Sequence, residues 1–460
     1  MKSGPKEPLQ AHISLTSQSD EISVMWTSAE VKGPSVCYYI KPANGTATYT
    51  SISATNVTSA QRYIPSGIHY KAIIKKIPAG ATVVYQVGSA VDGWSDDKQF
   101  VMPNLKSRDP SSFFVFGDLG TWVTATNGTG VPGRSLGTIS RVADDLAKGD
   151  RNYQAVLHVG DLSYADSVGY IWEQFHSLIE PVASKIPYLV SVGNHEYCYL
   201  TSTKAVDISG ETKSFFPAAS FAKASSNGEC GVPTATRFSV PDNSNNVFWY
   251  SFNSGLTHQV VVSSEHDFFD GSRLRKWLEA NLAAVDRTEH PWVIVHGHRP
   301  MYVSMESSFA YTAIFRAAVE PVLNKYNVDI FSGHTHAYER TQPVYNETVQ
   351  VGSDGNALGT AHIMIGSAGK ELDTDAWVNT TWSAKQLRTY GYGRLHVENA
   401  SHALFEYVLN SDASVADSVC GLSRTTSGVV ALNVNHFFVF EIKHTDNEMD
   451  ISPHAKCDAS

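Results

Sequence analysis

Five short apolar segments of this chain are each followed at once by side chains of the types that bind metal ions. Carboxylate, phenol, carboxamide and imidazole groups supply the oxygen and nitrogen ligands that first-row metals prefer. Seven of them stand in the motifs GDLG, GDLSY, GNH, HGH and GHTH: Asp118, Asp161, Tyr164, Asn194, His298, His334 and His336. Seven such side chains are enough to ligate two metal ions.

The segments before these motifs are rich in Val, Ile and aromatic residues and are closed by turn residues, which is the pattern of buried strands. The predicted strands are Ser112–Phe116, Ala155–Val159, Tyr188–Val192, Trp292–Val295 and Val328–Ser332. The 3.6-residue period predicts helices over Thr138–Lys148, Tyr311–Tyr326 and around Leu274–Leu282. Loops beyond the carboxyl ends of strands converge in open α/β sheets, so we expect the seven side chains in one site.

The chemistry of these side chains divides them into two sets. Carboxylate and phenolate oxygens are hard and anionic, so Asp118, Asp161 and Tyr164 suit trivalent iron, whereas amide and imidazole groups suit a divalent ion. Asp161 is able to bridge both ions. Two ions about 3.5–4 Å apart can share a hydroxide and neutralise charge on the oxygens of an in-line displacement at phosphorus. The pattern therefore predicts hydrolysis of a phosphate ester.

In this order, the motifs GDLG, GDLSYAD, GNHE, a His two residues before Pro-Met-Tyr, and GHTHAYER resemble the purple acid phosphatases of the calcineurin-like metallophosphoesterase superfamily. The resemblance covers roughly residues 14–414. It implies a ferric site ligated by Asp118, Asp161, Tyr164 and His336. It implies a second site for Zn, Mn or Fe(II), ligated by Asp161, Asn194, His298 and His334. Charge transfer from the tyrosinate to iron would colour the protein.

Two further residues are expected to act on the substrate. His195 is placed by the resemblance to contact the phosphate or the leaving group and to donate a proton at acidic pH, with a structural role as the alternative. Asp166 either orients a ligand or bound water, or caps the following segment. His296 is expected to be a structural histidine. The segment 303–308 lacks the adjacent histidines of many larger family members, so the leaving oxygen depends on His195, the metals or Arg299.

The chain before Asp118 alternates apolar and polar residues between Gly, Pro, Asn and Ser turns, which indicates a small antiparallel sandwich with Trp26 on an inner face. Its pattern around residues 77–85 resembles a fibronectin-type-III-like domain, which the larger family members carry here. The predicted fold class is α/β. We expect this sandwich at 10–104 and a metallophosphoesterase domain at 111–415. The second domain is expected to be built from βαβ units as a double β-sheet sandwich flanked by helices. Residues 418–460 are expected to form a C-terminal extension of unassigned role.

Composition limits the partners. The net charge is −10 and no Lys/Arg-rich tract occurs, so neither nucleic acid nor an anionic membrane is an expected partner. No apolar stretch approaches the roughly 20 residues of a membrane helix. Residues 1–9 are polar and are not a signal peptide, so we expect a mature form of a secreted or vacuolar/lysosomal glycoprotein. Its six sequons begin at Asn44, Asn56, Asn127, Asn346, Asn379 and Asn399.

Several questions stay open at the level of sequence. Cys198 and Cys230, two of five cysteines, either form a bridge that braces the GNHE loop or are buried thiols. The expected substrate is a small phosphomonoester, with ATP and phytate as candidates, and the expected oligomer is a monomer or a homodimer. The alternatives are a phosphodiesterase or nucleotide pyrophosphatase that uses the same site, and a non-catalytic binding or adhesion protein with a vestigial cleft.

Overall fold

The computed structural model describes residues 4–57, 67–122, 134–197, 208–211, 215, 225–306, 309–353 and 357–421. Its helices are α1 (Arg134–Lys148), α2 (Gly169–Ala183), α3 (Val232–Arg237), α4 (Arg273–Ala283) and α5 (Phe309–Tyr326). Three of these confirm predicted helices, whereas α2 and α3 were not predicted. Within the described residues, no helix has the length and apolarity needed to span a bilayer.

The N-terminal region consists of two antiparallel sheets. Its strands are β1 (Leu9–Leu15), β2 (Ile22–Ser28), β3 (Ser35–Ile40), β4 (Thr50–Ser53), β5 (Thr55–Val57), β6 (Ile68–Ile74), β7 (Thr82–Ser89), β8 (Gly93–Trp94) and β9 (Lys98–Val101). One sheet has the order β1-β2-β6-β5, and the other has the order β4-β3-β7-β8 with β9 also paired to β7. Trp26 is buried and stacks on Tyr70, with 5.4 Å between the ring centroids, which confirms its predicted inner position.

The second region contains the remaining strands. They are β10 (Ser111–Phe116), β11 (Tyr153–His158), β12 (Tyr188–Val190), β13 (Tyr250–Ser254), β14 (Thr257–Val261), β15 (Trp292–His296), β16 (Asp329–Ser332), β17 (Tyr338–Thr341), β18 (Val344–Tyr345), β19 (Thr348–Val349), β20 (His362–Ile365), β21 (Ser383–Leu387), β22 (Gly391–Val397), β23 (Ala403–Leu409) and β24 (Val415–Cys420). All five predicted motif strands are present, with ends that differ by up to two residues.

Apart from β18 and β19, which pair with each other, these strands form two mixed sheets that lie face to face. The first has the order β12-β11-β10-β22-β23-β24, and the second has the order β13-β14-β15-β16-β20-β17-β21. Strands β10, β11 and β12 are mutually parallel, as are β14, β15, β16 and β20. Aromatic rings fill the space between the sheets: Tyr338 stacks on Tyr407 at 4.1 Å, and Phe331 lies 5.3 Å from Phe405. The predicted α/β class with an N-terminal β-sandwich is confirmed.

The N-terminal sandwich packs against α2 through its first strand. The backbone amides of Gln10 and Ala11 donate to the two carboxylate oxygens of Glu180, at 3.2 and 3.1 Å. The ring of His12 lies 5.0 Å from the ring of His176 in the same helix. Because α2 follows the loop after β11, the two regions share a buried interface close to the predicted ligands.

Candidate metal centre

The seven predicted ligands all lie in loops that follow the parallel strands of the two sheets. The loops after β10, β11 and β12 carry the ligands from the first sheet, and those after β15 and β16 carry the ligands from the second. Four of the ligands have φ angles in the left-handed region: Asp118 (60°), Asp161 (49°), Tyr164 (55°) and His334 (72°). Such angles are uncommon for residues with a Cβ and persist where the surroundings enforce them, typically at functional sites.

One group of ligand atoms forms around Tyr164. Its hydroxyl donates to Oδ1 of Asp118 at 2.9 Å and lies 3.0 Å from Nε2 of His336. The same nitrogen of His336 is 3.4 Å from Oδ1 of Asp118. A phenol, a carboxylate and an imidazole thus point at a common centre, and the carboxylate is completely buried.

A second group forms around Nε2 of His298. This nitrogen lies 3.1 Å from Oδ1 of Asn194, 3.1 Å from Nδ1 of His334 and 3.2 Å from Oδ1 of Asp161. The ligand atoms of Asp161, His298 and His334 all lie within 4.8 Å of one another. This set of two imidazoles, a carboxylate and an amide oxygen is suited to a divalent first-row metal.

The histidines of both groups are oriented as metal ligands are. Nδ1 of His298 bonds the carbonyl oxygen of Val159 at 3.1 Å, and Nδ1 of His336 bonds the carbonyl oxygen of Glu371 at 2.8 Å. In each ring the bond to a carbonyl places a proton on Nδ1, so Nε2 is the nitrogen directed at the ligand group. Metal-binding histidines are commonly fixed by such a bond on the second nitrogen. The residues present therefore fit a metal-binding role.

Glycines let the strands approach the ligands closely. A Cβ on Gly193 would stand 2.2 Å from Oδ1 of Asp161, and a Cβ on Gly333 would stand 2.3 Å from Oδ2 of Asp118. Backbone amides hold the same carboxylates, since the amide of His334 donates to Oδ2 of Asp118 at 2.8 Å. Only a residue without a side chain allows this packing, so the glycines of the motifs shape the carboxylate positions.

Burial and neighbouring charges both shift the pKa values of the buried ligands. Burial alone would raise the pKa of Asp161, but the charges of His298 and His195 outweigh burial and hold this pKa well below its ordinary value. Burial alone would lower the pKa of His298, but Asp161 raises it to about 9. Burial and then the charges of Asp118 and Asp161 raise the pKa of Tyr164 well above its ordinary value. Negative charge on Asp161 is therefore stabilised by neighbouring positive charge, and a phenolate at Tyr164 would need a cation such as a metal ion beside it.

His195 lies directly over the ring of Tyr164, with 4.3 Å between the ring centroids. Its Nδ1 is 2.7 Å from Oδ1 of Asp166, and its Nε2 is 4.0 Å from Oδ2 of Asp161. Burial alone would lower the pKa of His195, but Asp161 and Asp166 together raise it. Asp166 does not cap the next helix, because Val168 occupies the N-cap position of α2. Its position instead orients the imidazole of His195.

Two other residues of the motifs are engaged elsewhere. Arg299 is buried, donates from Nε to Glu265 at 2.8 Å, and has Nη1 3.1 Å from Nε2 of His334. It therefore contacts a predicted ligand, and its role at the leaving oxygen, one of three alternatives from the sequence, stays a prediction. His296 lies outside both ligand groups, with Nε2 2.7 Å from the side-chain oxygen of Gln259, in agreement with a structural role.

Sequence reasoning missed two carboxylates that hold the ligand loops. Glu196 accepts from the amide of Leu162 at 2.8 Å and from the amide of Gly193 at 3.0 Å, so it joins the loops after β11 and β12. Its place in the motif GNHE was an available signal. Asp373 accepts from the amide of His336 at 2.8 Å. No motif marks Asp373, because it comes from a distant loop that only the fold brings to the site.

Comparison with known proteins covers both regions of the chain. The model of the purple acid phosphatase N-terminal domain matches residues 8–102, that of the calcineurin-like phosphoesterases matches 111–338, and that of the iron/zinc purple acid phosphatase-like C domain matches 359–418. Acid phosphatase type 7 of Homo sapiens is 30% identical over 445 residues, which are 90% of each protein. The chain belongs to the purple acid phosphatase family.

Two further relatives place this purple acid phosphatase chain within the family. A protein named probable inactive purple acid phosphatase 9 of Arabidopsis thaliana is 34% identical over 379 residues, which are 77% of this chain and 56% of that protein. The chain thus spans little more than half the length of that relative. The structure of a purple acid phosphatase isolated from yellow lupin (Lupinus luteus) seeds aligns with a TM-score of 0.77 at 28% identity, covering 93% of this chain and 78% of that one.

Proposed function

We propose that the protein is an acid phosphatase that hydrolyses phosphate monoesters at a two-metal centre. The observation that carries this proposal is the convergence of Tyr164, Asp118 and His336 on one point, beside a second group around Nε2 of His298. Two adjacent ligand sets of different hardness are what a mixed-valence binuclear site requires.

The two ligand sets divide between the metals as the chemistry of the donors suggests. We assign Fe(III) to Asp118, Asp161, Tyr164 and His336. We assign Zn, Mn or Fe(II) to Asp161, Asn194, His298 and His334. Asp161 is the proposed bridge, and its charge serves both ions. When bound, the metals supply a nucleophilic hydroxide and neutralise charge on the phosphoryl oxygens.

His195 is the proposed catalytic residue outside the ligand sets. Its Nδ1 is held by Asp166 at 2.7 Å, which leaves Nε2 to donate a hydrogen bond or a proton to the phosphate or the leaving oxygen. Asp166 fixes the tautomer and the direction of the ring, as a carboxylate beside a catalytic histidine does. Asp166 is therefore a positioning residue in this proposal.

The second candidate function is a non-catalytic protein, which the name of the Arabidopsis relative brings into consideration. In this chain all seven ligands are present, and their histidines face the two ligand groups. Burying Asp118 and Asp161 costs free energy unless a cation compensates them, so a protein selected only for adhesion gains nothing from them. We therefore favour the enzyme.

We further propose a secreted or vacuolar/lysosomal glycoprotein that acts on small phosphorylated substrates as a monomer or homodimer. The five sequon asparagines within the described residues are all exposed, as glycosylation requires: Asn44, Asn56, Asn346, Asn379 and Asn399. Asn127 lies outside the described residues, as does Cys198, so both alternatives for Cys198 and Cys230, a bridge or two buried thiols, stay predictions.

The decisive experiment combines metal analysis, a visible spectrum and hydrolysis rates on protein from an oxidising, glycosylating host. We expect two metals per chain, a visible charge-transfer band, and turnover of p-nitrophenyl phosphate, with phytate and phosphopeptides as further monoesters and ATP as a phosphoanhydride. A bis(p-nitrophenyl) phosphate arm tests the diesterase alternative. Stoichiometric metals without turnover of any ester would favour the non-catalytic candidate.

A further inference from the structure

Lys370 lies beside the proposed ferric ligands, although no motif predicted a role for it. Its backbone amide donates to the carbonyl oxygen of Asp118 at 2.9 Å, which fixes residue 370 next to the loop after β10. The preceding carbonyl, of Gly369, accepts from Nε of Arg134 at 2.9 Å. The main chain of Lys370 is therefore anchored on both sides, and its half-buried side chain has a defined origin.

The ammonium group of Lys370 stands over two aromatic rings. Its Nζ is 4.8 Å from the ring centroid of Tyr164 and 4.5 Å from that of Trp122. The two rings pack edge to face at 5.6 Å. Distances below about 6 Å allow a favourable cation–π contact, which is strongest when the ring carries negative charge.

A second cation, Arg134, lies on the same indole as Lys370. Cζ of Arg134 is 4.8 Å from the ring centroid of Trp122. Within the part of the chain that the structure describes, neither Arg134 nor Lys370 forms an ion pair with a carboxylate side chain. Two like charges on one indole repel each other, so indole packing alone does not account for this arrangement. The negative charges near Lys370 include those of the proposed ferric ligands, since its main chain is hydrogen-bonded to that of Asp118.

We propose that Lys370 tunes Tyr164 as a metal ligand by stabilising negative charge on its phenolate ring. The inference rests on the proposed function, because it takes Tyr164 as an iron ligand. A stabilised phenolate donates less charge, which leaves the ion it binds a stronger Lewis acid and raises the energy of tyrosinate-to-iron charge transfer. Lys370 acts through the ring of Tyr164 and not on the substrate. Its effect is therefore electronic and is visible in the spectrum.

The test compares the visible spectra of Lys370→Met, Lys370→Arg and the parent at equal iron content. Methionine keeps the unbranched side chain without the charge, and arginine keeps the charge. The matched control is Lys325→Met, because Nζ of Lys325 lies 4.9 Å from the ring centroid of Tyr326 in α5, in a cation–π contact outside the metal centre. Redox titration of the iron provides a second measurement that does not depend on turnover.

We expect the absorption maximum of Lys370→Met to move to longer wavelength, because the loss of a nearby positive charge raises the energy of the phenolate donor. Its iron should also become harder to reduce, while Lys370→Arg and Lys325→Met match the parent. A maximum for Lys370→Met that coincides with the parental one overturns the inference, and so does an equal shift in Lys370→Arg. A coloured parent that hydrolyses no ester would refute the proposed function alone, whereas a colourless iron-loaded parent refutes the ferric assignment and this inference together.

Discussion

Tyr164 is the only phenol among the proposed ligands, and its hydroxyl is within 3.0 Å of both partner side chains. We predict that Tyr164→Phe folds and loses the visible band, because the phenolate is the proposed source of charge transfer. Absorption spectra with metal analysis and circular dichroism measure this. An unshifted band in the variant would remove Tyr164 from the ligand set.

Asp161 is the residue that both proposed ions share. Asp161→Asn keeps an oxygen to accept from the amide of His195, which lies 2.9 Å from Oδ1, but loses the charge. We expect the occupancy of both metals to fall, and equilibrium dialysis with elemental analysis measures this. Stoichiometric binding of two metals by the variant would show that the bridge was assigned to the wrong residue.

His195 should matter for turnover more than for metal binding, because its side chain faces Asp166 and the ring of Tyr164. General acid help is worth roughly 10²–10⁴ in rate. We expect His195→Ala to lower kcat at least about tenfold for alkyl phosphates, and less for p-nitrophenyl phosphate, whose leaving group needs no proton. If alkyl phosphates turn over at the parental rate with both metals bound, the histidine is structural.

Most of the ligand set could be predicted from sequence, because each ligand directly follows a strand and keeps a fixed position in a motif. The positions of Asp373 and Lys370 relative to the ligands could not, whereas Glu196 had a signal in the motif GNHE that was missed. Asp373 and Lys370 belong to the loop after β20, and only the pairing of β16 with β20 brings that loop to the site. The contact of Arg299 with Glu265 was also invisible, since it joins loops that follow different strands.

At the scale of elements, the strand-to-loop junctions limit which residues the metal centre tolerates. We predict that Gly193→Ala and Gly333→Ala lower metal content, because the new Cβ would stand 2.2 Å from Asp161 and 2.3 Å from Asp118 respectively. Gly169→Ala at the start of α2 is the control, since a Cβ there meets nothing within 4 Å. Metal analysis of the three variants measures the difference. Full occupancy in the first two would mean that the carboxylates shift without penalty.

The helices show why elements differ in how well they can be predicted. In α4 the apolar residues Leu274, Leu278 and Leu282 recur at intervals of four and are buried, and Ser272 caps the helix through the amide of Arg275 at 3.1 Å. Helix α2 has neither a side-chain cap nor an acidic first turn, and Pro181 lies inside it. The sequence therefore gives only weak signals for where α2 starts and ends, although the buried face of this helix is apolar.

At the scale of the whole molecule, a buried histidine cluster joins the two regions. His12 in β1, His69 in β6 and His176 in α2 face Arg237, which pairs with Glu173 at 2.5 Å. Burial, followed by the charge of Arg237, lowers the pKa of His69 to about 3. Burial also lowers the pKa of His12 and that of His176. All three are therefore neutral in the folded protein at pH values where the unfolded chain is protonated.

This cluster predicts a loss of stability in acid. A lowered folded-state pKa of a histidine leaves the free energy of unfolding intact above about 6.5 and reduces it as pH falls below that value, by up to roughly 1.4 kcal/mol per pH unit for each histidine. For His69 this loss extends down to about pH 3. We expect His176→Phe, which keeps an aromatic ring against His12, to make the free energy of unfolding depend less on pH, because unfolding of the variant takes up to one proton fewer. Urea unfolding between pH 4 and 7 measures how the free energy of unfolding changes with pH in the parent and in the variant. Identical slopes for the two proteins would contradict the prediction.

Both ligand groups draw on both sheets of the second region. Asp118, Asp161, Tyr164 and Asn194 follow strands of the first sheet, whereas His298, His334 and His336 follow strands of the second. A metal ion held by such a set is a cross-link between two halves of the fold, and its binding energy adds to the energy of their docking. Metal supply in the compartment of synthesis would then set how much of the chain reaches the assembled state, so that folding yield itself reports on the metals.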